Sequence, residues 1–151
     1  MNRRDFLRIS AVAAATPAII AAVKKTELDE ASIADLQAAM AVGRESSVSL
    51  TKKYLHRIDQ IDRSGPTLNS VIELNPDALE IARDLDRERK SGRTRGPLHG
   101  IPILIKDNID THDRMHTSAG SLALAESIAA RDSVVAKRLR AAGVVILGKT
   151  N

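Results

Sequence analysis

The sequence predicts an α/β fold, a mostly parallel sheet flanked by helices, and three observations carry that expectation. Residues 101–105 and 144–147 are continuous apolar runs rich in β-branched side chains, the pattern of strands covered on both faces. Stretches with apolar residues every three or four positions precede and separate them, bounded by capping residues and glycines. The order that results, strand, helix, strand, helix, strand, is that of a sheet with crossover helices. A chain of 151 residues, 43% hydrophobic, is long enough for one core, although Phe6 and Tyr54 are its only aromatic residues. It has no cysteine, which excludes disulfides, thiolate metal sites and cysteine nucleophiles.

Residues 1–25 read as a leader. Arg3-Arg4 and Asp5-Phe6-Leu7 precede a moderately apolar, alanine-rich segment at residues 9–23, the layout of an export signal. The arginine pair resembles the twin-arginine signal of proteins exported already folded. That segment is about 22 Å long as a helix, short of the ~30 Å hydrocarbon core of a bilayer. Ser10, Thr16 and Pro17 interrupt it further, so no stable membrane anchor is expected. The implied partner of residues 1–25 is the export machinery, and the implied location is periplasmic or extracellular. The leader also explains the net charge of +4: Arg3, Arg4, Arg8, Lys24 and Lys25 face only Asp5, and the rest of the chain is neutral. No basic patch is left over to suggest nucleic acid.

The remaining elements follow in order. Ser32 and Asp35 form a capping-box start for a helix with Ile33, Leu36 and Met40 on one face, closed by Gly43. A second helix is predicted over residues 50–61 from the stripe Leu50, Tyr54, Ile58 and Ile61, ending at the turn Ser64-Gly65-Pro66. Residues 69–74 read as a strand, and Asn75-Pro76 as the cap and first-turn proline of a third helix that turns Ala78, Ile81, Ala82 and Leu85 inward. Residues 87–95 read as a solvated charged exit. After the strand at 101–105, Asp132 is expected to cap a fourth helix with Val135, Leu139 and Ala142 in register, ending at Gly143. Residues 144–147 form the last strand.

Lys106 stands directly after the strand at 101–105, followed by Asp107, Asn108 and Asp110. Ligands of open α/β sheets bind beyond the carboxyl ends of strands, so this is a place for chemistry. An ordinary lysine, pKa about 10.4, is only ~0.04% neutral near pH 7. Burial lowers a lysine pKa by up to about 3–5 units, which makes a usable general base. The competing reading is a strand-end lysine reaching into solvent beside two aspartates.

The run GPLHGIPILIKDNID, continued by MHTSAGSLALAESIAARDSVVAKRLRAAGVVILGKTN, resembles the opening part of the amidase signature family, serine hydrolases that cleave carboxamide bonds. The likeness is continuous from about Pro97 to Asn151 and extends more weakly back to about Ser32. It implies an incomplete, amino-terminal part of the amidase signature fold over residues 26–151, after a signal peptide at 1–25. It also implies a Ser–Ser–Lys triad whose lysine is Lys106. In the family both triad serines lie in a Gly/Ser-rich segment beyond the matching K-T-N, whereas this sequence ends at Asn151. The resemblance therefore implies hydrolysis of a small-molecule amide without metal or organic cofactor, by a chain expected to be inactive alone. The alternative is an exported non-enzymatic remnant or binding module.

Three further motifs are decoys. Residues 143–150 fit the P-loop pattern letter for letter, but their centre is Val-Val-Ile-Leu, itself a strand, where a P-loop needs a loop of free amides. His112 and His116 have the spacing of a zinc-protease helix without helical apolar periodicity around them, and read as a surface loop. Ser118 and Ser121 read as turn and cap hydroxyls, and His99 as a turn residue.

Overall fold

Ser32 starts the ordered architecture as the sequence predicts: its hydroxyl accepts from the Asp35 amide, and the Asp35 carboxylate accepts from the Ser32 amide. The computed structural model describes residues 28–151, and the expectations for residues 1–25 lie outside the described residues. Helix α1 spans Ile33–Ala41 and α2 spans Ser47–Arg57, continuing into a π-helical stretch at Ile58–Arg63. Strand β1 is Val71–Leu74, α3 is Ala78–Lys90, β2 is Pro102–Lys106, α4 is Val134–Ala141 and β3 is Val145–Thr150.

Several caps differ from expectation. Helix α2 begins earlier than its apolar stripe suggests because Ser46 and Ser49 form a second reciprocal cap. Asn75 is buried and faces two ways. Its side chain accepts from the Asp77 amide at 2.9 Å and donates to the Ile146 carbonyl at 2.8 Å, pinning the start of α3 to β3. The cap of α4 is Ser133, not Asp132, which instead accepts from the His112 amide and from Arg140. Val135 and Ile33, expected inside, are exposed, and Ala136 is the buried residue of α4. The stretch at 87–95 read as a solvated exit is in part the last turn of α3 and is tied down: Arg89 donates to Gln37 and to the His99 carbonyl, and Arg95 pairs with Glu88.

The sheet corrects the expected topology. Its order is β1-β3-β2, with β3 parallel to β2 but antiparallel to β1, so it is mixed rather than mostly parallel. Apolar patterning reports which positions are covered but not which way a strand runs. The long link at residues 91–101 is free to bring the chain into β2 from either end. Strand β3 lies in the centre, with both neighbours formed from residues that precede it.

Two cores sandwich β3. On one face Ala78, Ala82 and Leu85 of α3 pack with Val71, Val145 and Leu147. On the other, Ile146 and Val144 meet Ile105 and Met115. A third cluster joins α1 and α2 to the start of β2 through Leu36, Met40, Leu50 and Ile101. The pairing of β2 with β3 steps irregularly: Ile103 faces Ile146, but Leu104 faces Gly148, which leaves Leu147 as an extra residue on β3. Such a bulge changes the alternation of everything after it. Gly148, beside the bulge, admits β1: a Cβ there would lie 2.3 Å from the Glu73 carbonyl oxygen.

Candidate functional site at the carboxyl ends of β2 and β3

The parallel pair β2 and β3 places Lys106 opposite Thr150 and Ile105 opposite Lys149 at the same end of the sheet. Lys106 ends β2, and its carbonyl accepts from the Ile109 amide at 3.0 Å, closing a tight turn. Of the two readings of Lys106, buried base or strand-end lysine reaching into solvent, the structure shows the second. Ile105 and Asp107 on either side are buried, whereas the Lys106 side chain is exposed and has no hydrogen-bond or ion-pair partner among the described residues. The two residues alternate across the strand, so Ile105 enters the core and Lys106 points the other way.

Asp107 turns back into the protein. Its amide donates to the Thr150 carbonyl at 2.7 Å, and its carboxylate accepts from the Ser118 hydroxyl at 2.5 Å and the Ser118 amide at 3.2 Å. Ser118 also accepts from the Gly120 amide, so it is the turn hydroxyl that the sequence suggests. Asn108 and Asp110 are exposed.

The buried cation of the site is Lys149, which is fully buried. Its ammonium donates to the Ile109 carbonyl at 2.8 Å and to the Thr117 hydroxyl at 2.9 Å. Burial pushes its pKa below the ordinary lysine value, opposed by the charges of Asp107, Asp113, Asp110 and Glu73. Sequence reasoning met Lys149 only as the lysine of a false P-loop. The strand expected at residues 144–147 runs from Val145 to Thr150 and so includes the lysine, and the bulge that swings Lys149 to the Ile105 face cannot be seen in apolar periodicity. The available signal was a lysine two residues after a four-residue buried run, with a glycine between.

The two loop histidines diverge. His116 receives Glu73 of β1 at its backbone amide, 2.7 Å, and at its ring, 3.1 Å. The His112 ring instead meets the Ala129 carbonyl. Among the described residues no group of three or more histidines and carboxylates is arranged to hold a metal. His99 is fully buried, with its Nε2 donating to the Leu85 carbonyl and its Nδ1 accepting from the Arg95 amide, a structural tie between α3 and the turn before β2.

A lysine at a strand end, a buried carboxylate bracing the following loop and a mixed sheet flanked by helices make up an incomplete α/β unit. Residues 49–151 match the amidase family, and the chain belongs to it. A probable amidase of Arabidopsis thaliana is 47% identical over 126 residues, 82% of this chain and 24% of that protein. Among solved structures, a native peptide amidase from Stenotrophomonas maltophilia superposes with a TM-score of 0.77 at 57% identity, over 81% of this chain and 25% of that one. An amidase family protein from Bacillus anthracis superposes with a TM-score of 0.79 at 43% identity, over 85% of this chain and 25% of that one. The chain thus spans about a quarter of the length of these relatives. Residues 1–19 match the twin-arginine translocation pathway signal sequence, which marks the chain for export from the cytoplasm. No helix among the described residues is long and apolar enough to cross a membrane.

Proposed function

We propose that this chain supplies the amino-terminal part of an exported amidase that hydrolyses carboxamide C–N bonds, with Lys106 as the proton-accepting lysine of a Ser–Ser–Lys triad. The observation that carries the reading is the family match across residues 49–151, with Lys106 at the carboxyl end of β2 and its amine uncommitted among the described residues. We place the boundary between leader and catalytic domain at residues 25 and 26, and take the export machinery as the partner of the leader.

The chemistry follows from a neutral amine. Lys106 accepts a proton through a bridging serine from the nucleophilic serine, which attacks the amide carbonyl. The proton passes back from Lys106 to the departing nitrogen as the C–N bond breaks, the neutral amine leaves, and water hydrolyses the acyl-enzyme. Backbone amides of the serine-bearing segment hold the oxyanion. No metal or organic cofactor enters these steps. An exposed lysine is a poor base, so the reading requires the serine-bearing segment to pack over Lys106 and take it out of water. By family resemblance that segment follows the K-T-N at residues 149–151, and the substrate is a small-molecule amide.

A chimera tests the proposal. Residues 28–151 replace the matching quarter of the Stenotrophomonas peptide amidase, and release of ammonia from a peptide amide is measured. Turnover by the chimera and none by the 151-residue chain alone is the expected pair of results. A cooperatively folded chimera without turnover would overturn the proposal. Turnover by the chain alone, abolished by Lys106→Met, would place a nucleophile within these residues and overturn the assignment of the serines.

A further inference from the structure

We propose that Lys149 is a positioning residue for Lys106, holding from inside the sheet the turn on which Lys106 stands; the inference rests on the reading of Lys106 as the proton acceptor. Lysine is almost never fully buried unless it is paired with an opposite charge. Lys149 is fully buried, yet both acceptors at its amine are neutral, a carbonyl and a hydroxyl, and no carboxylate comes within ion-pair distance among the described residues. An apolar side chain of similar length would fill the same place opposite Ile105 without desolvating an amine. What the lysine supplies, and the apolar side chain would not, is the pair of hydrogen bonds.

Those bonds go to one place. The Ile109 carbonyl that Lys149 holds belongs to the residue whose amide donates to the Lys106 carbonyl. Lys149 therefore anchors the far end of the Lys106–Ile109 turn, while β-pairing with Thr150 anchors the near end. Its second bond, to Thr117, fixes the residue beside Ser118, which Asp107 holds from the other direction. Two buried polar groups, Lys149 and Asp107, thus clasp the loop that follows Lys106. The β3 bulge at Leu147 is what makes the clasp possible. Without it, Lys149 would share a face with Val145 and Leu147 and meet α3 instead.

The test exploits the absence of cysteine from the chain. Lys149→Met removes the donor, and Lys149→Cys, alkylated with bromoethylamine in denaturant and refolded, rebuilds an amine of nearly lysine length at that position alone. In each protein the rate of acetylation of Lys106 by a water-soluble active ester is mapped by peptide mass spectrometry. Exposed Lys52 and Lys137 serve as internal references, and amide exchange at Ile109 and Ser118 is followed alongside. Lys149→Met is expected to change the relative Lys106 rate by about threefold or more and to speed exchange at those amides. Aminoethylated Lys149→Cys restores both.

An unchanged Lys106 rate, or a change that aminoethylation leaves in place, overturns the proposal, the latter because packing alone would then explain it. Should Lys149→Met not fold, Thr117→Val removes one acceptor at nearly constant volume and should shift the Lys106 rate in the same direction by a smaller factor. No shift in that variant overturns the proposal equally. Because the readout is the amine of Lys106 and not turnover, a failure of this proposal is distinguished from a failure of the amidase reading, which turnover of the chimera reports.

Discussion

Gly148→Ala should be among the most destabilising single-methyl changes available to this chain, and the reason is entirely steric. Gly148 does not occupy the left-handed region, so alanine meets no backbone strain there. Its Cβ would, however, lie 2.3 Å from the Glu73 carbonyl oxygen and 3.2 Å from the Leu74 Cα. Both are backbone atoms of β1, which cannot swing aside as a flexible side chain does. Relief requires β1 to move away from β3 by about 1 Å, loosening the antiparallel pairing at Glu73 and Leu74. Overpacking of this kind costs about 1–3 kcal/mol, and a fixed backbone neighbour argues for about 3. For a domain of this size that is a fall in Tm of roughly 10–15 °C. Circular dichroism during thermal and urea unfolding measures it. Gly43→Ala is the control, with φ +72° and nothing within 4 Å of the added methyl, and should cost about 1–2 kcal/mol from strain alone. A Gly148→Ala protein within about 1 kcal/mol of wild type would show that β1 is not held against β3 as described.

Two other expectations concern an acidic side chain and the leader. The Asp62 carboxylate accepts from the Ser70 hydroxyl at 2.5 Å and from the amides of Ser70 and Val71, and these bonds, the Ser70 hydroxyl first, hold its pKa below the ordinary carboxylate value. A depressed folded pKa contributes stability above the unfolded value of about 3.9 that is lost as pH falls through the folded one; Asp62→Asn should therefore show a shallower acid limb below about pH 4 in urea titrations, and an unchanged limb would contradict it. Fusing residues 1–30 to a reporter that folds in the cytosol should export it, and replacing Arg3 and Arg4 with lysine should stop export; undiminished export of the double variant would sink the role of the arginine pair.

Much of the fold is legible in the sequence because local chemistry decides it. The Ser32–Asp35 capping box, the buried stripe Ala78, Ala82 and Leu85, and the strand leading to Lys106 all sit where periodicity and turn residues put them. Where several hydroxyl and carboxylate residues compete, local rules name the wrong one. Asp132 has the composition of a cap, yet Arg140 and the His112 amide claim it, and Ser133 caps α4. Strand direction is a property of connections, so the reversed β1 is invisible to patterning. The site divides the same way. Lys106 is found from its place after an apolar run and from resemblance, while the choice between a buried and an exposed amine is settled only by the alternation across β2 that sends it away from the core receiving Ile105. Lys149 is hidden altogether, since a single bulge at Leu147 decides which face it occupies.

The proposed proton transfer by Lys106 in amide hydrolysis is tested by kcat of the peptide-amidase chimera carrying Lys106→Met. Loss of the proton acceptor should lower kcat by at least about 10²–10⁴-fold while the variant chimera still unfolds in a single cooperative transition. A Lys106→Met chimera that turns over within about threefold of its parent would rule that role out, since a group that carries no proton in the transition state cannot be the base.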